Sequence, residues 1–171
     1  MSHLVARKPE PGYLRLRFVT TKNNWLSNLI RWETNGTVSH VESVLPSGDI
    51  IGAYLDGVKQ TPGDADLGYT GQIFVDVLAP QESIDKWVAY LKSRCGRKYD
   101  FLAALGFMLH MNIRTPGAFI CSMDATLALR ASGTFKRPLS EPAHRVSPRD
   151  LLFALSAHPA AIVGQIESLT P

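Results

Sequence analysis

The stretch TVSHVESVL (37–45) sorts into two sets when successive side chains are sent to opposite faces, as a strand sends them. His40, Glu42 and Val44 fall on one face, and Val41 and Ser43 on the other. Pro46-Ser47-Gly48 follows, then DIIGAYLDGV (49–58), so the pattern predicts a β-hairpin over 37–58. YLRLRFVT (13–20) alternates apolar and basic residues in the manner of a half-exposed strand, and QIFVDVL (72–78) predicts another. The helical period appears elsewhere. NNWLSNLIRWET (23–34) spaces Trp25, Leu26, Leu29, Ile30 and Trp32 along one side, and QESIDKWVAYLKSR (81–94) does the same with Ile84, Trp87, Val88 and Leu91. Further helices are expected from Tyr99 to about Leu109, from Cys121 onward, and over SPRDLLFALSAH (147–158). The last of these opens with Ser147 as cap, Pro148 in the first turn and Asp150 where the helix dipole favours an acid. The tail AAIVGQIESL offers a final strand. Strands come early and helices late, without regular βαβ alternation, which predicts an α+β fold with an antiparallel sheet.

Composition narrows the class without changing that picture. The chain has 171 residues, 45% hydrophobic and 19% charged, enough for one domain with its own core. Residues 1–12 are rich in Pro and charge and are expected to form a loose arm. The net charge of +3 is scattered, with its densest group in KSRCGRK (92–98), a pattern that fits a solvated surface. There is no zinc-finger spacing, RNP signature or glycine-rich phosphate loop, so a nucleic acid is not an expected partner, and no metal or cofactor is expected. No apolar run approaches the ~18 residues of a membrane helix. The first residues lack the apolar core of a Sec signal peptide. The expectation is a protein synthesised in the cytoplasm, with release by a non-Sec or phage-type route left open.

Chemistry centres on GAFICSMDATLALRASG (117–133), which holds one of two cysteines. A helix start presents unpaired N–H groups and the positive end of the dipole, and both favour a thiolate. Cys121 by itself reads first as a buried structural thiol and only second as a nucleophile. A nucleophile requires a base, and among five histidines His40 is the natural one, inside a strand with Glu42 on the same face. His3 falls in the arm, His110 at a helix end, His144 in an extended connection and His158 before a proline. Cys95, at a helix C-terminus, reads as incidental.

Taken in order, five segments resemble the circularly permuted NlpC-type branch of the papain-like cysteine hydrolases, the YiiX-like group, with lecithin retinol acyltransferase as a more distant relative. They are the histidine strand SHVESVLPSG, the strand IIGAYLDGV, the helix opening RKYDFLAALGF, the cysteine helix FICSMDATLAL and the segment VSPRDLL. The resemblance covers roughly residues 37–152. It implies an antiparallel sheet packed on a helical layer, with Cys121 at a helix N-terminus as nucleophile and His40 as base. It also places Tyr99 near the groove, and Ser122, next to the cysteine, joins it as a candidate substrate-binding residue. Relatives carry a third polar residue where this chain has Gly52, and an acid two places after the cysteine where it has Met123. Alternation favours Glu42 as the third catalytic residue, with Asp56 as the alternative and Tyr54 as a weaker option.

The implied activity is cleavage of amide bonds, with a peptide or peptidoglycan fragment as substrate. A thioesterase or acyltransferase acting on lipid or acyl-protein substrates would use the same residues. A binding or structural module without turnover is the third expectation.

Overall fold

A computed structural model describes residues 3–21, 38–54, 56–98, 121–134 and 142–169. The expected helices over 23–34 and from Tyr99 lie outside these residues, as does Tyr99 itself.

Seven strands form one antiparallel sheet: β1 (Tyr13–Thr21), β2 (His40–Val44), β3 (Ile50–Tyr54), β4 (Gly57–Thr61), β5 (Tyr69–Leu78), β6 (Ala161–Val163) and β7 (Glu167–Ser168). The order across the sheet is β4-β3-β2-β1-β5-β6, with β7 also paired to β5. Among the described residues three helices accompany it: α1 (Gln81–Arg94), α2 (Cys121–Ala131) and α3 (Pro148–Ser156), the last preceded by a short turn of 3₁₀ helix at Ala143–Arg145. This is the α+β architecture that the hydrophobic pattern predicts.

Paired strands share faces, and the pairing defines two cores. One face carries Leu14, Leu16 and Phe18 of β1, Val41 of β2, Ile51 and Ala53 of β3, and Ile73, Val75 and Val77 of β5. These pack against Ile84, Trp87 and Leu91 of α1, Cys121, Ala125, Ala128 and Leu129 of α2, and Leu151 and Leu155 of α3 in the main apolar cluster. The opposite face holds a small cluster of Ala6, Val44, Ile50 and Phe74, together with a row of polar residues that includes Arg17, Glu42 and Gln72.

Two elements differ from the sequence expectation. β1 is not a half-exposed strand. It lies between β2 and β5, and Arg17 is fully buried. Its guanidinium is satisfied there by Gln72 Oε1 at 2.7 Å, the Leu4 carbonyl at 2.8 Å and Glu42 Oε2 at 3.3 Å, so a basic residue occupies a buried position without an orphaned charge. DIIGAYLDGV is likewise two strands, reversing at Asp56-Gly57. Gly57 sits at φ +122°, and a Cβ there would meet the Arg97 carbonyl oxygen at 2.8 Å. A side chain would therefore be both strained and crowded, and the Asp-Gly pair carries the turn.

The N-terminal residues, expected to be loose, are tied to the polar face. Ala6 N–H donates to the Gly63 carbonyl at 2.7 Å, and the carbonyls of Leu4 and Val5 accept from Arg17 and Gln72. The arm thus roofs the face that carries His40 and Glu42.

The helix ends follow local rules. α3 has a capping box in which Ser147 and Asp150 bond reciprocally to each other's backbone N–H. Its Pro148 occupies the first turn, where the missing N–H is not needed.

Candidate active site

β2 pairs with β3 only through Ser43 and Val44. The half of β2 from His40 to Glu42 therefore has β1 on one side and no β3 partner on the other. The Leu45 N–H points toward β3, where it meets the Asp49 carbonyl. N–H direction alternates along a strand, so Val41 points the same way into the unpaired gap. The start of α2 fills that gap, and α2 contacts both β2 and β3. The backbone N–H groups of Val41 and Ser122 both act on the Cys121 sulfur in the sense that favours its thiolate. An interrupted ladder thus supplies a free backbone donor to the thiol.

His40, the first residue of β2, hydrogen-bonds the same sulfur. Its Nε2 is buried without a hydrogen-bond partner. That nitrogen turns toward Glu42, whose Oε1 lies 3.7 Å away, beyond hydrogen-bonding distance. Cys121 is buried, whereas the His40 side chain keeps 17% of its surface open.

The two groups move each other's protonation in the direction nucleophilic catalysis requires. Burial disfavours the Cys121 thiolate, yet the adjacent imidazolium, its hydrogen bond and the two backbone donors outweigh burial and hold the thiol below its ordinary range. Burial likewise disfavours the charged imidazole. The thiolate, the hydrogen bond to it and the charge of Glu42 prevail, with Arg17 opposing, and His40 is raised. The two titrate as a coupled pair. Cys95 behaves oppositely: burial and the nearby Asp124 push its thiol up.

Glu42 is buried and held by three donors. Tyr54 Oη donates to Oε1 at 2.7 Å, Tyr69 Oη donates to the same atom, and Arg17 meets Oε2. Arg17 and Glu42 sit directly opposite each other on β1 and β2, and Arg17 also stacks over the Tyr69 ring at 5.0 Å. The tyrosine rings lie 5.3 Å and 6.5 Å from the His40 ring.

Of the expected site residues, Cys121, His40 and Glu42 come together, and Ser122 reaches the sulfur through its N–H. Asp56 does not join them. It stands in the exposed β3–β4 turn, bonded to Lys59 at 2.7 Å, because the strand reverses before it can reach His40. Two other histidines are used locally: His3 bonds the Asp64 carbonyl, and the His158 ring accepts from Ala160 N–H. Asp124 does not stand in for the acid missing at Met123. It faces Arg94 on α1, and burial raises its carboxyl to about 6. Tyr69, Gln72 and Arg17 belong to the site without having been singled out from sequence. The available signal was Arg17 itself, a cation set between the apolar residues of LRLRF.

The arrangement, an antiparallel sheet with a helix-start cysteine joined to a strand histidine, defines an α+β protein with a thiol–imidazole site. No protein-family model and no curated protein sequence matches the chain. Among solved structures it is similar to the crystal structure of the metalloprotein YiiX from Escherichia coli O157:H7. The TM-score is 0.64 at 16% identity, over 94% of this chain and 100% of that one. That likeness establishes a YiiX-like fold. Among the described residues, no group of three or more His, Cys, Asp or Glu side chains is placed to hold a metal ion. Among the same residues, no helix is long and apolar enough to cross a membrane.

Proposed function

We infer that the chain is a cysteine hydrolase of the circularly permuted, NlpC-like kind, cleaving amide bonds in peptides of the peptidoglycan type. The observation that supports this most directly is the mutual shift of Cys121 and His40, a thiol held low beside an imidazole held high. In this reading His40 takes the Cys121 proton, and the sulfur attacks the scissile carbonyl. Backbone N–H groups at the start of α2 hold the oxyanion, with Ser122 N–H the nearest candidate. The imidazolium, its charge supported by Glu42, protonates the leaving amine. Water, activated by His40, then releases the acyl group from sulfur. The amide class, and Tyr99 as a groove residue, follow from the family resemblance.

Incubation with defined peptidoglycan peptides, with acyl thioesters in parallel, tests the reading. Release of an amine by the wild-type chain, and its loss in a folded Cys121→Ala variant, is the expected result. Turnover of thioesters alone would reassign the chain to the acyl-transfer branch. Equal turnover by Cys121→Ala would remove the nucleophile.

A further inference from the structure

Glu42 Oε1 is the most contested atom of the site. It accepts two hydroxyl hydrogen bonds, from Tyr54 and Tyr69, and it is also the carboxylate oxygen facing His40 Nε2. A carboxylate offers about two lone-pair sites per oxygen, so two hydroxyls fill it. The ring nitrogen stays at 3.7 Å, buried and unpartnered, a state that native interiors rarely tolerate without a reason. The backbone is shaped for the same contact. Gly52 and Tyr54 share a face of β3, and the Tyr54 ring lies over Gly52 so closely that a Cβ there would sit 3.0 Å from Cζ and 3.1 Å from the hydroxyl. The missing side chain at position 52 is what lets Tyr54 reach Glu42.

We propose that Tyr54 and Tyr69 are positioning residues that hold the Glu42 carboxylate off His40, and so set how readily the imidazole keeps its proton beside Cys121. The inference rests on the Cys121–His40 reading above. The titratable and charged groups facing His40 are Glu42 on its own strand, Arg17 on β1, Tyr54 on β3, Tyr69 on β5 and Cys121 on α2. Removing a tyrosine hydroxyl leaves a lone pair on Oε1 for the imidazolium N–H and concentrates negative charge on that oxygen. Both effects favour protonated His40. The thiolate–imidazolium pair then forms at lower pH.

The test is the rate of iodoacetamide alkylation of Cys121 between pH 4 and 10, followed by intact mass in the full chain carrying Cys95→Ser. Tyr54→Phe and Tyr69→Phe each keep their ring and lose only the hydroxyl. One net hydrogen bond corresponds to about half to one pH unit, so each variant is expected to lower the midpoint of thiolate formation by that much. Gly52→Ala, which displaces the Tyr54 hydroxyl without removing it, is expected to move the midpoint in the same direction. An unchanged or raised midpoint in folded Tyr→Phe variants overturns the proposal. If Tyr69→Phe loses its fold by circular dichroism, Tyr54→Phe and Gly52→Ala carry the test. His40→Ala separates the two levels of the argument. It should raise the midpoint toward that of a free thiol, and an indifferent midpoint would overturn the Cys121–His40 pair itself rather than the role of the tyrosines.

Discussion

Asp124 offers a stability test set by its surroundings. It lies in the first turn of α2, is 3% exposed, and its Oδ1 has no hydrogen-bond partner. Burial raises its carboxyl from 3.8 to about 6, with Arg94 opposing. A carboxyl raised on folding stabilises the fold while it is protonated and loses that contribution as pH rises through its folded value. The difference of about two units corresponds to ~3 kcal/mol lost between pH 4 and pH 8. Asp124→Asn keeps the shape and removes the charge. The buried amide has its own cost of about 1–2 kcal/mol, so the variant should gain about 1–2 kcal/mol over wild type at pH 8. For a chain of this size that is a rise in Tm of about 3–6 °C. At pH 5 about half of that loss has occurred, roughly 1.6 kcal/mol, which the cost of the amide offsets, so the two proteins should melt together. Thermal melts by circular dichroism at the two pH values check this. A Tm difference that is the same at both, or a variant less stable at pH 8, would refute the argument that burial of the charge dominates at this position.

Other outcomes follow from the same structure. Glu42→Gln should leave the buried Arg17 without its counter-charge and cost about 3–5 kcal/mol in urea unfolding, more than any exposed ion pair such as Lys86–Glu82 could contribute. Below pH 8, iodoacetamide should reach Cys121 in preference to Cys95 even though Cys95 is the exposed one; peptide mapping that finds Cys95 alkylated first would contradict the opposite shifts of the two thiols. Ser147→Ala should lower stability by about 0.5–2 kcal/mol through loss of the α3 capping box, with no change in the pH profile of Cys121 alkylation. Gly57→Ala, forced to φ +122° against the Arg97 carbonyl, should cost more than 1 kcal/mol in the same unfolding assay.

What the sequence revealed, and what it concealed, divides along the range of the forces involved. α1 and α3 were legible because helical periodicity is local, and α3 also displays its capping box in SPRD. The shared face of His40 and Glu42 was legible because alternation needs only the strand itself. The turn at Asp56-Gly57 was missed because the apolar run IIGAYL reads as continuous with GV. Arg17 was the harder case. Its charge argues for solvent, and only the long-range pairing of β1 with β2 and β5 shows that Glu42 and Gln72 are waiting for it. The same pairing explains why Gly52 is no defect. The space left by the missing side chain admits Tyr54, which reaches Glu42 on the neighbouring strand. The union of Cys121 with His40 lay beyond spacing arguments altogether, since eighty residues separate them and only the unpaired half of β2 explains why a helix can start there.

The arm over the polar face has a consequence for how the protein ages. Leu4 and Val5 contribute nothing but carbonyl oxygens, yet those oxygens complete the coordination of Arg17 and Gln72, and through Arg17 the charge balance around Glu42 and His40. A peptidase that trims the first half-dozen residues would leave every predicted catalytic side chain in place while removing one acceptor from a buried cation and another from its partner Gln72. The loss would register as altered thiol reactivity before it registered as unfolding. The reactivity of Cys121 is therefore also a measure of whether the chain's first residues are intact.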